Sequence, residues 1–426
     1  MTRGLQTVFA GAIALGLAHP LLPQMQKLPQ MHIGGGTIIV PESSIARPED
    51  VGKRARTFVR IFIPDGGLPI NAANTPGGFF ETPASLACVY QLVTAAKTCN
   101  PSTATTVSHG GAHAIALVDA YDDPNAASDL AVFSTEFGLP APNFQVVYAA
   151  PGSSTATNTP PPQDSSGGWE FEESVDIQMA HAMAPHAKIF LVEANSSGSG
   201  DLLPAVTLAS NLVSAAGGGE VSMSWGFGDF AGENGFDGYF TTTGVVYFSS
   251  SGDSAGISYP CTSPDVVCVG GTTISRNATT GNFEYESAWP DTGGGPSPNE
   301  PIPSYQSGIA SIVGTQRGTP DLAFVADGRT PVWVYDTFPI SGTSGTWWLA
   351  SGTSVSAPGM AGIVNTAGHF YTSTNAELSE VYSQIGVTTE FKDIVSGNCG
   401  AYAGYLAKKG WDFCSGVGVN VGKTGK

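Results

Sequence analysis

Hydrophobic positions in this chain come in short bursts, and the bursts have two periods. Residues His113 to Asp119, Phe144 to Ala149, Ala187 to Glu193, Glu220 to Trp225, Val245 to Ser249 and Val266 to Val269 are compact runs rich in apolar residues, which predicts strands. Between them, Ala126 to Phe137, Glu172 to Ala184 and Asp201 to Ala216 read as helices, with Pro185 ending the second. Strand–helix alternation of this kind predicts an α/β fold with a mostly parallel central sheet flanked by helices. No repeat or internal boundary divides residues 79–426, so a single domain is expected there. Residues 19–78 are rich in Pro, Gly and Met and read as a weakly structured leader, with one candidate strand from Thr57 to Pro64.

Composition changes the picture in two respects. Only 12% of the 426 residues are charged while 41% are hydrophobic, so a large core can be buried beneath a surface of small polar residues. The balance of 17 Lys+Arg against 35 Asp+Glu leaves no basic patch to neutralise phosphates, which excludes nucleic acid as a partner. Few basic groups also limit the positive charge that accumulates as carboxylates protonate, as suits a protein working in acid.

Both the N-terminus and the cysteines point to export. Arg3, the apolar stretch Val8 to Leu17 and the small-residue site Gly16-Leu17-Ala18 read as a signal peptide over residues 1–18. That apolar run is too short to span a membrane, and no later run approaches the required length. A secreted product with no membrane partner is expected. Six cysteines fall into three local pairs, Cys88/Cys99, Cys261/Cys268 and Cys399/Cys414, which suits an oxidising compartment. Neighbour pairing is the simplest connectivity, although the sequence leaves the choice open.

Candidate chemistry begins at Ser351-Gly-Thr-Ser354-Val-Ser-Ala-Pro358, where small residues crowd Ser354 ahead of an apolar run. This pattern fits a nucleophile at a helix N-terminus, whose free N–H groups can stabilise an oxyanion. It is not the nucleophile elbow of α/β-hydrolases, because Ser occupies position 356. A serine needs a base. His109 and His113 lie ahead of the strand that ends in Asp119, the wrong order for a subtilisin-like Asp, His, Ser series, and read as loop groups. Glu172 and Asp176 are four apart on a predicted helix, so their carboxylates share a face. Two acids held close raise at least one pKa and can share a proton. Asp253, in Ser250-Ser-Gly-Asp253-Ser-Ala-Gly256, follows a strand, where sites of parallel sheets form.

Taken in order, Glu172-x-x-x-Asp176, Ser222-Met-Ser-Trp-Gly226, Ser251-Gly-Asp253-Ser254 and Ser351-Gly-Thr-Ser354-x-Ser-x-Pro358 resemble the sedolisins, or serine-carboxyl peptidases. Gly410-Trp-Asp-Phe-Cys-Ser-Gly-Val-Gly418 resembles a further stretch of that family. The resemblance implies a subtilisin-like fold and an acid-active peptidase for protein or peptide substrates, working as a monomer. It implies Ser354 as nucleophile, Glu172 as base, Asp176 as the orienting acid and a protonated Asp253 in the oxyanion hole. Asp119 and Trp225 would support the base, and Ser222, Ser224 and Gly226 would hold the substrate backbone. One structural Ca²⁺ is implied, held by the carboxylates of Asp393 and Asp412 and the carbonyls of Ile394, Lys408 and Gly410. Residues 19–78 are shorter than the folded pro-domain common in that family. Two rival readings are a catalytically silent relative that only binds, and a Gly/Thr-rich adhesin. The intact set of four chemical residues opposes the first, and the expected helices oppose the second.

Overall fold

A computed structural model describes residues 28–67, 79–94, 98–400 and 404–423 of the chain. The export-signal segment 1–18 lies outside the described residues.

The chain opens with β1 (Gln30–Ile33), β2 (Gly36–Ile39), β3 (Arg56–Thr57) and β4 (Arg60–Pro64), followed by α1 (Pro83–Val89). The alternating half follows as β5 (Ala114–Ala120), α2 (Ala126–Glu136), β6 (Asn143–Ala149), β7 (Ala156–Thr157), α3 (Gly168–Met183), β8 (Lys188–Ala194), α4 (Ser199–Ala215) and β9 (Gly219–Met223). Next come β10 (Trp225–Gly226), β11 (Val245–Ser250), β12 (Val267–Arg276), β13 (Phe283–Ala288), β14 (Gly295–Pro301), α5 (Ala310–Val313), β15 (Gln316–Thr319), β16 (Leu322–Val325), β17 (Val332–Tyr335) and β18 (Trp347–Ser351). The principal C-terminal helices are α6 (Thr353–Ala367) and α7 (Thr374–Ser383).

A nine-stranded sheet forms the centre, in the order β13-β12-β11-β9-β5-β8-β6-β7 with β16 beside β12. Its inner pairs are parallel, and only β13 and β7 run antiparallel to their neighbours. Strand side chains alternate between faces, which divides the core in two. Ile115 and Leu117 join one apolar layer with Phe171 and Val175 of α3 and Val355 and Met360 of α6. Ala116 and Val118 point into the other, against Leu202 and Val206 of α4. Both faces of β5 are thus buried, which explains why its sequence, Asp119 apart, is apolar rather than alternating.

The N-terminal segment departs from expectation. Read as weakly structured, residues 28–67 instead supply three strands of a second sheet, in the antiparallel order β1-β2-β4-β18-β17. Ile39, Val59 and Ile61 are fully buried there. The candidate strand Thr57 to Pro64 resolves into β3 and β4, which part around Phe58 and Val59.

Candidate active site

Ser354 is the second residue of α6 and is fully buried. The turn into α6 requires Gly352, whose φ of 103° lies in the left-handed region. A Cβ at that position would stand 2.5 Å from Asp253 Oδ2. Helix α6 packs along α3, and Gly362 permits the approach, since a Cβ there would come within 2.7 Å of Met183. This contact sets the Glu172 and Asp176 helix beside the Ser354 helix.

Glu172 and Asp176 are completely buried, as is Asp119 at the end of β5. Burial pushes Glu172 well up, and the charges of Asp176 and Asp119 push it further. The Ser354 hydroxyl opposes that shift, although it falls short of a formed hydrogen bond with Glu172. Asp176 is raised by burial and by Asp119, while Ser224 Oγ donates to its Oδ1 at 2.7 Å and partly offsets the rise. Asp119, lacking any hydrogen bond at either oxygen, is pushed up by burial to about 8. Three buried acids therefore repel one another beside one serine.

Asp253 sits in the loop after β11, 11% exposed at its side chain. Its Oδ1 accepts from the Thr353 N–H at 2.8 Å and the Thr353 hydroxyl at 3.0 Å, while Oδ2 accepts no hydrogen bond. Burial raises it to about 6, against the opposing pull of Arg60, of the Thr353 bonds and of Arg56. The Arg60 Nε lies 3.5 Å from Oδ2, and the Arg60 guanidinium also donates to the Asp253 carbonyl.

Ser224 and Gly226 line the cleft beside Ser354. The Ser354 hydroxyl donates to the Ser224 carbonyl at 3.3 Å. Ser222 does not reach the cleft: its backbone is paired inside the central sheet, to Phe248 and Leu117, and the edge beside Ser354 begins at Ser224, where Arg56 to Phe58 pair with it. Trp225 is fully buried, and its indole donates to the Val118 carbonyl at 2.6 Å rather than to Asp119. A second acid group lies behind the first and carried no sequence signal. Glu173 is buried and raised by burial, Glu193, Asp123 and Asp119, and Glu193 itself is raised by burial to about 10.

No family model matches the chain. Among curated proteins it is 30% identical to kumamolisin from Bacillus sp. (strain MN-32) over 74% of its length. It is 27% identical to sedolisin from Pseudomonas sp. (strain 101) over 68%, and 27% identical to xanthomonalisin from Xanthomonas sp. (strain T-22) over 70%. These matches span 59%, 53% and 41% of the relatives' own lengths. A Pseudomonas sedolisin, a serine-carboxyl proteinase solved with two molecules of pseudo-iodotyrostatin, superposes at a TM-score of 0.61 with 22% identity. That superposition covers 80% of this chain and 96% of the other. The chain belongs to the sedolisin family.

The resemblance places the expected calcium in the C-terminal loops. They do meet: Asp393 Oδ2 accepts from the Gly410 N–H at 2.8 Å, and Asp412 Oδ2 from the Lys408 N–H at 2.9 Å. Asp393 Oδ1 is buried and unpartnered, a hard oxygen of the kind that suits Ca²⁺. Asp412 Oδ1 accepts from the Cys414 and Ser415 N–H groups, and Ile394 is fully buried alongside. Among the described residues no group of three or more His, Cys, Asp or Glu side chains is arranged to hold a metal, so carbonyls would have to complete the shell. All three disulfides join sequence neighbours, Cys88–Cys99, Cys261–Cys268 and Cys399–Cys414, the last stapling this region. No helix among the described residues is long and apolar enough to cross a membrane.

Proposed function

We propose that this sedolisin is a secreted, acid-active serine-carboxyl peptidase that cuts peptide bonds in protein or peptide substrates as a monomer. The observation that carries the reading is the convergence beside Gly352 of the Ser354 N–H and of Asp253 Oδ2, which accepts no hydrogen bond, with the Glu172/Asp176 pair against the Ser354 hydroxyl.

Ser354 Oγ attacks the substrate carbonyl, and its proton passes to Glu172. Asp176, oriented by Ser224, shares the proton of the pair, so that Glu172 takes enough negative charge to act as base. The carbonyl oxygen gains charge and is held by the Ser354 N–H and by a protonated Asp253 Oδ2. Glu172 then returns the proton to the leaving amine, and water hydrolyses the acyl-enzyme. The substrate lies as a strand along Trp225–Gly226, in the place that Arg56 to Phe58 hold in this structure, with the Ser224 carbonyl accepting one of its N–H groups. Asp253 donates only while neutral, so activity belongs below its pKa of about 6. Serine-type peptidase chemistry in the family relatives supports the same assignment. One Ca²⁺ bound by Asp393, Asp412 and neighbouring carbonyls would brace the C-terminal loops, away from the chemistry.

The test is hydrolysis of casein from about pH 3 to about pH 7 by the chain and by Ser354→Ala and Glu172→Ala. A maximum in acid, abolished by both substitutions, is expected. A folded, calcium-loaded sample that cuts nothing at any pH would leave a peptide-binding protein in place of a peptidase.

A further inference from the structure

Behind the catalytic pair, the α3 side of the central sheet carries a row of acids near the C-terminal ends of its strands. Parallel register sets Asp119 of β5 opposite Glu193 of β8, and Glu193 opposite Tyr148 of β6. Asp119 and Glu193 share the sheet face of Leu117 and Leu191, which lie in the apolar layer beneath α3. Helix α3 adds Glu173, three residues before Asp176 and therefore its neighbour on the helix surface. At the outer end of the row Asp122 reaches Glu193, Tyr148 and Gln163.

Asp119, Glu173 and Glu193 are completely buried, and neither oxygen of any of them has a formed hydrogen bond to an N–H or hydroxyl group. The Asp123 N–H only partly offsets the rise at Glu193, and the Trp225 indole is engaged by the Val118 carbonyl. The charges that act on Glu173 are those of Glu193, Asp123, Asp119 and Glu170, and those that act on Glu193 are Asp122 and Asp123; no cation is among them. Unpaired charge is too costly to bury in such a place, so these acids are neutral in the folded protein. A neutral carboxyl both donates and accepts, and with no other donor formed the acids satisfy one another, each O–H donating to the next. The chain of bonds has a direction. At its inner end Ser224 Oγ donates to Asp176 Oδ1 at 2.7 Å and the Ser354 hydroxyl lies against Glu172, whereas no hydroxyl donates to Glu173 or Glu193. The end with extra donors is the end that keeps a negative charge, and the protons point toward it.

We propose that Glu173 and Glu193 are positioning residues of the reaction: as neutral acids they extend a carboxyl chain through Asp119 to Asp176, and its hydrogen bonds hold the chain's single negative charge on Glu172, where the base needs it. The inference rests on the peptidase reading above. Glu172 alone takes the Ser354 proton and passes it to the leaving nitrogen, so neither Glu173 nor Glu193 gains or loses a proton in the cycle. Their effect is on readiness. With the outer donors removed, the charge on Glu172 is less well held, and Glu172 stays protonated, silent as a base, over more of the acid range.

The experiment measures kcat and KM on a quenched fluorogenic peptide from about pH 2 to about pH 6 for the full chain, Glu193→Leu and Glu193→Gln, with Tm followed alongside. Leu donates nothing, whereas Gln donates and does not ionise. Glu193→Leu should move the acid limb of kcat upward by about one pH unit, a loss of about tenfold on that limb, with KM little changed. Glu193→Gln should restore the wild-type limb, and Glu173→Leu should repeat the shift. At neutral pH the Tm of Glu193→Leu should equal or exceed that of wild type, because an apolar side chain relieves the buried acid, so activity and stability part company. Superposed limbs for wild type and Leu, equal losses in Leu and Gln, or a loss in Leu that tracks a lowered Tm would each overturn the proposal and leave the peptidase reading standing. A wild-type chain that cuts no peptide at any pH would overturn both.

Discussion

Asp253 offers the sharpest test of the chemistry, because its two oxygens do different things. Oδ1 is fixed by the Thr353 N–H and hydroxyl, so any proton belongs on Oδ2, which faces the reacting carbonyl. Its pKa is raised, so the neutral form prevails below about 6 and the charged form above it. About nine-tenths of the side chain is neutral one unit below that value and about one-tenth one unit above. Ionised, Oδ2 repels the oxyanion instead of donating to it. Asn keeps the same geometry, with its oxygen at Thr353 and its amide nitrogen where Oδ2 stood, and it donates at every pH. Asp253→Ala should lose about 10²- to 10³-fold in kcat, about 2.7–4 kcal/mol of transition-state stabilisation. Asp253→Asn should remain within about tenfold of wild type in acid, and the ratio of Asn to wild type should climb about tenfold per pH unit above 6. The assay is kcat/KM on a short quenched fluorogenic peptide across the acid and neutral range. Arg60→Met should move the wild-type limb upward, since the cation beside Oδ2 favours the charged form. Parallel profiles for wild type and Asn through the alkaline fall would refute the reasoning, because the titrating group would then lie elsewhere.

Three further outcomes follow from buried charge. Asp123, Asp119 and Glu170 are raised to about 7, 8 and 8, each chiefly by burial. Stability from such groups is fully present below the unfolded carboxylate pKa of about 4 and is lost as pH rises through the folded values, so Tm should fall between about pH 4 and about pH 8. A Tm that rises over that window would contradict the burial argument, and Glu193→Gln should flatten the fall. Arg317, fully buried, donates to Asp321 at 2.8 and 2.5 Å. Arg317→Met would strand Asp321 and should lower stability by about 3–5 kcal/mol in urea unfolding. A loss below about 1 kcal/mol would mean that Cys268 N–H and Tyr382 suffice to satisfy the carboxylate. Chelation of calcium should lower Tm, and Asp393→Asn should remove that sensitivity; equal chelator response in both proteins would place any ion elsewhere.

The parts of the fold that were legible in the sequence are those whose signals are local. Strand β5 and helix α3 lie within a few residues of where apolar runs put them, since burial of their own side chains decides their state. The turn at Gly352 was legible for a similar reason: a crowded helix start needs small residues in a row. The N-terminal segment gave such a signal only over Thr57 to Pro64, where β4 forms. Strand β1 is largely exposed and β3 is two residues long, so neither shows a buried face to read. β1 is ordered by its local hairpin with β2, whereas β3 is ordered by pairing across the chain with β10 and by the contact of the adjoining Phe58 with Ser354, 296 residues away.

The acids show the complementary failure. Glu173 and Glu193 look in sequence like ordinary solvated positions, and their meeting depends on the parallel register that sets Asp119 opposite Glu193. Each of these groups violates the rule that carboxylates stay in water, and the violations gather behind the one serine that a helix start exposes to a seated peptide. A scatter of isolated buried acids would mean only lost stability at neutral pH. Their concentration along α3 ties the folded state and the proton-sharing pair to the same condition, an acidic medium, so acid stability and acid activity should fail together as pH rises.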